Sequence, residues 1–448
     1  MHGTNVDIGD LLTEARPLPA SSVSILRCPT CGRTPRTQSF GAGYALSECG
    51  CGAMPTAEGV LLAQPDETRE RVTSAIRSNR HDAARKLVLG KHAPRVRAME
   101  SLGIPVTFSR FTRHRILAEL IDRTHLRPAL ERLGAAKLAH HLAAASLFND
   151  YLRHRYCAPA LLSAIPLLGL VRDHDADEAP VLDAPCGMGH LASMLAKIIP
   201  QERIVCMDLL PYFAYAARRF FVPDAKFTIA YDMSRPLPLA DASFGTIFCL
   251  DAIQYIPNKP RVAAEFMRVL RDDGVVAILH AQNRLSPNPY GGDALAPAEY
   301  AALFAGYHVR MFPEAYMIDA FTQDRALDLT RKFTLADLNG EQAVHVIAAK
   351  SPDVFRVVEP VADELLDRPQ NEQISPLYRV ARNCEAYVFT RQLPEGLSKE
   401  YNRFPCVLPV KVRVPLDEIE EANGRLTFKK PRRLRRLGVL VDLPKCYC

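Results

Sequence analysis

Apolar residues recur along this chain with two different periods, and the period changes near residue 180. Before that point, Arg69–Arg85, Arg113–Arg123 and Leu138–Arg155 carry apolar side chains three and four positions apart with basic residues between them. That spacing predicts helices with one buried face. After it, short apolar runs alternate with helical stretches, the pattern of βαβ units around a mostly parallel sheet. VLDAPC, from Val181, predicts the first strand; a glycine loop follows, then a helix over His190–Ile199 that Pro200 closes. RIVCMDLL predicts a second strand and Tyr212–Phe221 a second helix, and KFTIAYD, FGTIFCLDAI and VVAILHAQN predict further strands. A helix over Arg261–Arg271 precedes the last of these and ends at Asp272-Asp273-Gly274. AVHVIAAKS (343–351) predicts a late strand completing the sheet.

At 448 residues the chain exceeds one compact core. Four parts are expected: a small cysteine-bearing module over 22–65, a helical region over 66–178, an α/β core over 179–352 and a C-terminal extension over 353–448. Apolar and charged usage is ordinary, and no apolar run reaches the eighteen or so residues a membrane span needs. The N-terminus lacks a basic stretch followed by an apolar one, which argues against secretion. Cys206 and Cys249 sit inside apolar runs as buried thiols do, so a cytoplasmic protein is expected. The net charge of +6 is uneven: residues 66–160 hold 18 Lys/Arg against 9 Asp/Glu, and 423–448 hold 8 against 1. Solvated helix faces account for this as readily as an anionic partner does.

The chemistry centres on Asp183-Ala-Pro-Cys-Gly187-Met-Gly189, between an apolar strand and a helix. Two glycines let backbone approach a ligand without Cβ clashes. Asp208, ending the second strand, can accept hydrogen bonds from both ribose hydroxyls of an adenosine ligand, and Asp232, ending the third, from an adenine amino group. A dinucleotide would want a third glycine, and Asp183 would repel its pyrophosphate; an amino-bearing nucleoside suits the loop better.

On these residues, 181–283 resemble the class I S-adenosylmethionine (SAM)-dependent methyltransferases whose first motif reads LDxxCGxG. VLDAPCGMG, VCMDLLP, AYDMSRPLPLADASF, FGTIFCLDAIQYI and EFMRVLRDDGVVAI match five successive strand-end motifs in order. Pro185 stands where glycine is frequent, and Gly245 where aspartate is usual. The resemblance implies a Rossmann-like core with SAM as cofactor. Asp183, Pro185, Cys186, Gly187 and Gly189 would shape the methionine side, Asp208 and Leu209 the ribose site, Asp232 and Met233 the adenine site, and Asp251 and Ala252 the border of the methionine arm. His280 ends the fifth strand on the ligand edge and, with Asn283, is expected to face the acceptor, where it would serve as general base for a hydroxyl. Tyr151–Arg155 is expected to contribute to a lid, and SPNPYGGDALAPAEYAALF to be a substrate loop with a short helix.

Cys28-Pro-Thr-Cys31 and Cys49-Gly-Cys51 supply four thiolates in two close pairs, the spacing of a structural zinc ribbon. With the methyltransferase core behind it, this module resembles the zinc-ribbon-bearing guanine methyltransferases of ribosomal RNA. The basic run Lys429–Arg436 would suit RNA phosphates, but no aromatic residues interleave it. The later segments resemble methyltransferases of small molecules or glycoconjugates. An O- or N-methyltransferase of a small or sugar-like acceptor is therefore preferred, RNA methylation is second, and a silent methyltransferase-fold scaffold is third.

Overall fold

The computed structural model describes residues 25–90, 155–156, 158–172, 179–287, 291–323, 325–360, 365, 369, 372–375, 377–392, 409–422 and 425–442. The helices expected over Arg113–Arg123 and most of Leu138–Arg155 lie outside these residues.

The parallel strands form where expected: β5 (Val181–Asp183), β6 (Ile204–Asp208), β7 (Phe227–Ala230), β8 (Phe244–Leu250) and β9 (Leu270–Gln282). The side chains of β5, β6, β7 and β8 are buried throughout, as in parallel sheets covered on both faces. β12 (Ala343–Ala349) and β10 (His308–Pro313) add antiparallel neighbours, giving the order β7-β6-β5-β8-β9-β12-β10. Successive strands run one way from β5 through β6 to β7 and the other way through β8 to β9, so the order reverses at β5. In open α/β sheets ligands bind in the crevice at such a reversal, beyond the strand carboxyl ends. β11 (Leu327–Asp328) pairs separately with β13 (Val357–Val358).

The module at 22–65 is not set apart from this sheet. β1 (Arg36–Gly41), β2 (Tyr44–Cys49), β3 (Gly52–Ala57) and β4 (Val60–Leu62) form an antiparallel meander, and β4 then pairs in parallel with β7 through Val60↔Thr228, Leu61↔Ile229 and Leu62↔Ala230. The result is one sheet of eleven strands. The cause is in the residues: Val60-Leu61-Leu62 has no polar alternation, is buried on both faces, and needs neighbours on both sides. The single helix expected over Arg69–Arg85 is two, α1 (Glu67–Arg77) and α2 (His81–Leu89). Asp66 caps the first by accepting from the Arg69 N–H at 2.8 Å, and Asn79 with φ +53° breaks the chain between them.

Between the core strands come α3 (Pro159–Ala164), α4 (His190–Leu195), α5 (Pro211–Ala216), α6 (Lys259–Val269), α7 (Pro297–Ala302) and α8 (Glu314–Thr322). α6 ends at Val269, before the expected Asp272-Asp273-Gly274 stop, and those residues open β9 instead. In the C-terminal extension Tyr378–Arg382, Ala386–Arg391 and Lys411–Pro415 form a small antiparallel sheet, whose Phe389 and Val412 join the apolar cluster containing Leu191 and Phe248.

Gly189 begins α4 with φ +92°, and a Cβ there would lie 3.0 Å from Ala217 Cβ and 3.2 Å from Ala217 Cα. Gly189→Ala therefore strains both backbone and packing and should lower stability by about 1–3 kcal/mol. Urea unfolding should show a lower midpoint at unchanged slope; an unchanged midpoint would contradict this account of the loop.

Candidate functional site

A cavity of about 310 Å³ opens at the carboxyl ends of β5, β6, β7 and β8. Each strand delivers one acid to its wall: Asp183, Asp208, Asp232 and Asp251. Pro185, Cys186, Gly187, Leu209, Met233 and Ala252 line it as well. Of the residues expected around the cofactor, only Gly189 is away from the wall; it packs on Ala217 and Phe221 and sets the entry of α4.

Gly187 turns with φ +52° and donates its N–H to Asp208 Oδ2 at 2.9 Å, while Leu210 N–H donates to Oδ1 at 2.9 Å. Burial pushes the Asp208 carboxyl up to about 6, against these backbone donors. Asp183 is 1% exposed, and its Oδ2 has no hydrogen-bond partner. Burial raises its carboxyl to about 8; a backbone hydrogen bond from Ala192 opposes the rise, the charge of Asp208 adds to it, and Arg155 opposes it. An orphaned buried oxygen on a cavity wall suits a ligand that brings a cation or donor. Asp232 Oδ1 accepts from Ser234 N–H at 2.9 Å and Ser234 Oγ–H at 2.7 Å, and the Asp232 N–H donates to Gln64 Oε1 at 3.3 Å.

Three further residues bear on the wall: Arg155 and His190 line it, and Gln64 braces the loop that carries Asp232. Gln64, just beyond β4, reaches the Asp232 loop because β4 pairs with β7. Arg155, the last residue of the segment read as a lid, is 8% exposed and donates from Nη1 to Asp251 Oδ2 at 2.7 Å; Tyr151 to His154 lie outside the described residues. His190 follows the glycine loop, packs against Tyr156 and Phe221 with ring centroids 5.3 Å apart in each case, and is held down to about 3 by burial and then by Arg155. The imidazole is therefore neutral at pH 7.

His280 is not on the cavity wall, which corrects its expected place beside the acceptor. It is 2% exposed with φ +51°, its Nδ1 lies 2.5 Å from Glu314 Oε1, and its Nε2 lies 3.8 Å from Asp251 Oδ1. Burial would lower its pKa, but Glu314 and then Asp251 outweigh burial and raise it to about 9. Its two anionic neighbours, Glu314 and Asp251, favour the protonated imidazole. Asn283 is likewise turned inward, donating from Nδ2 to the carbonyls of Asn339 at 3.1 Å and Glu341 at 2.8 Å. In the expected substrate loop, residues 288–290 lie outside the described set; after them Asp293 N–H donates to the Gln254 carbonyl at 2.7 Å and its side chain meets Lys259 at 3.1 Å.

At the far end of the sheet Cys28, Cys31, Cys49 and Cys51 bring their sulfurs within 4.8 Å of one another, with Cys31 and Cys49 at 3.9 Å. A tetrahedral ion with sulfur at about 2.3 Å separates its ligands by about 3.8 Å, so the set has the size of a zinc site. Hydrogen bonding from Arg33 draws Cys31 down to about 6, toward the thiolate that binds metal.

Residues 182–278 match the family described as a methyltransferase domain. Malonyl-[acyl-carrier protein] O-methyltransferase of Geobacter sulfurreducens is 31% identical over 158 residues, 35% of this chain and 53% of that protein. Trans-aconitate 2-methyltransferase of an Azoarcus species is 28% identical over 184 residues, 38% of this chain and 67% of that protein. A solved SAM-dependent methyltransferase of Aquifex aeolicus aligns at TM-score 0.28 with 15% identity, over 38% of this chain and 81% of that one. The chain spans about half the length of the first of these curated relatives.

The Asp183 carboxyl also makes stability depend on pH. Its folded value of about 8 lies above the ordinary 3.8, so the folded state binds the extra proton and this contribution is lost as pH rises through 8. Without ligand, the parent should lose on the order of 2 kcal/mol more than Asp183→Asn between pH 6 and pH 8. Urea titrations at the two pH values measure the difference; parallel behaviour of parent and variant would show that Asp183 is ionised throughout.

Proposed function

We propose that this chain, whose core is a class I SAM-dependent methyltransferase domain, moves a methyl group from SAM to an oxygen of a small acceptor that carries a carboxylate. The observation that carries the reading is a cavity walled by four strand-end acids, of which Asp183 keeps one buried oxygen without a hydrogen-bond partner. Asp183 would take the α-amino group of the methionine portion and Arg155 its carboxylate, an opposed pair that matches a zwitterion. Asp208 would accept from the ribose hydroxyls, and Asp232 with Met233 would border the adenine. When bound, SAM supplies a methyl group already activated on a sulfonium. The chain's part is then to align the acceptor and exclude water, and Leu210, Phe213, Tyr255, Ile256 and Pro257 give the cavity an apolar rim for it.

The curated relatives are named for malonyl-[acyl-carrier protein] and for trans-aconitate, and malonyl and aconitate groups both carry carboxylates. A carboxylate oxygen attacks without losing a proton, so such an acceptor needs no base. That agrees with a protonated His280 and with a His190 too weakly basic to take a proton. RNA stays second: the basic run folds as the helix Pro431–Arg436, in which Arg436 is buried and Arg435 is tied to Glu372. No described helix is long and apolar enough to cross a membrane. The four-cysteine cluster is read as a structural zinc site, since four sulfur ligands leave no open position for chemistry.

Two experiments test the reading. Asp208→Ala should weaken SAM binding about a hundredfold, the equivalent of about 3 kcal/mol for two hydrogen bonds to a charged acceptor. Calorimetry showing affinity within about threefold of the parent, in folded protein, would remove the ribose assignment. Purified protein should carry one zinc per chain, lost on replacing Cys28 and Cys31 by Ser. Metal analysis finding none in unchelated, folded protein would refute the metal reading.

A further inference from the structure

We propose that Glu314 and His280 are a positioning pair that clamps Asp251, and through it Arg155, at the methionine end of the cavity. This rests on the reading of that cavity as the SAM site. Two non-glycine residues on adjacent parallel strands have left-handed backbone, both at φ +51°: Asp251, which directly follows β8, and His280, two residues before the end of β9, where its register against β12 shifts. Such a conformation costs about 1–3 kcal/mol and persists only where the surroundings enforce it. Here it turns the two side chains toward each other at the ligand edge of the sheet.

The contacts run in one line with alternating charge. Ser163 Oγ–H donates to Glu314 Oε1 at 3.2 Å, and Glu314 Oε1 meets His280 Nδ1 at 2.5 Å. His280 Nε2 stands 3.8 Å from Asp251 Oδ1, which also accepts from Gln254 Nε2 at 3.1 Å, and Asp251 Oδ2 accepts from Arg155 Nη1 at 2.7 Å. Glu314, His280 and Arg155 are 3%, 2% and 8% exposed. Buried charges persist only when neighbours of opposite sign surround them, and each inner member of this line has one on either side. With both oxygens held, Asp251 cannot rotate, and the guanidinium it holds stays aimed along the cavity wall.

Other titratable groups facing the pair leave this balance intact. His345 of β12 is 0% exposed, has no hydrogen-bond partner at either ring nitrogen, and is pushed down by burial to about 4, so it is uncharged. Glu341 feels the charge of Glu314, and burial together with that charge pushes its carboxyl up. The imidazolium is thus the cation that Asp251 and Glu314 share. Its loss leaves Asp251 to compete for Arg155, which is the group offered to the methionine carboxylate.

Glu314→Gln keeps the side-chain shape and an acceptor for Nδ1–H but removes the charge that favours the imidazolium. Calorimetric SAM titrations from pH 6 to pH 10, with nitrogen NMR of the His280 ring assigned through His280→Gln, read the effect. The parent should hold a doubly protonated His280 at pH 7.5, and Glu314→Gln should not. The variant should bind SAM about tenfold more weakly at pH 8, and the difference should shrink as the pH falls and the imidazole, with Asp251 still beside it, takes up its proton. Against an Asp251→Asn background the same change should add less than about twofold, because the relay is already broken. A neutral His280 in the parent, a loss independent of pH, or an undiminished loss in the Asp251→Asn background would each overturn the proposal. Should Glu314→Gln fail to fold, His280→Gln carries the binding test, with weakening about tenfold at pH 6 and pH 8 alike. A parent that binds no SAM would defeat the cofactor reading alone, and the clamp is then judged by whether Asp251→Asn and Glu314→Gln each lower the His280 titration.

Discussion

A carboxylate that is 1% exposed with one oxygen unpartnered is stable in two ways only: protonated, or facing a cation. Asp183 is such a group, and the sheet compels its position. β5 is three residues long and lies at the reversal of strand order, flanked by β6 and β8, so its last side chain emerges where both neighbouring connections turn away. Asp208 and Asp251 emerge from those neighbours at the same edge. Three acids thus meet at one edge; Asp251 has Arg155 and His280 beside it, while burial favours the protonated form of Asp183.

The sequence makes this part of the site legible because its signals are local. A glycine loop that must turn with positive φ, and acids that end apolar strands, are visible in short stretches of residues. Long-range partners are not. For His280 the sequence marks a position near the end of β9, which fixes the Cα and not the direction of the side chain. A left-handed backbone and a carboxylate 34 residues later turn it inward. Gln64 reaches Asp232 across 168 residues, through a strand pairing that Val60-Leu61-Leu62 hints at by its uniform apolarity. Arg155 belongs to the segment expected to form a lid, but nothing near it in sequence shows that Asp251, 96 residues later, would hold it.

Tertiary context also shifted element boundaries. Arg271-Asp272-Asp273-Gly274 reads as a helix stop, but it opens β9 because Leu270 and Val275 pair across to β8 at Phe244 and Thr246. Sheet pairing decided that stretch over local propensity.

The parallel pairing of β4 with β7 has a consequence for solubility. In a sheet that ended at β7, the N–H and C=O groups of Phe227–Ala230 would face outward beside wholly buried apolar side chains, a template for adding strands from other molecules. The cysteine-bearing meander occupies that edge and carries the sheet on to β1, whose RTQSFG sequence is half-exposed, polar and short. Deleting the meander would therefore do more than remove four clustered cysteines. It would uncover a strand suited to self-association, and the shortened protein would be expected to aggregate through the flank of its own cofactor domain.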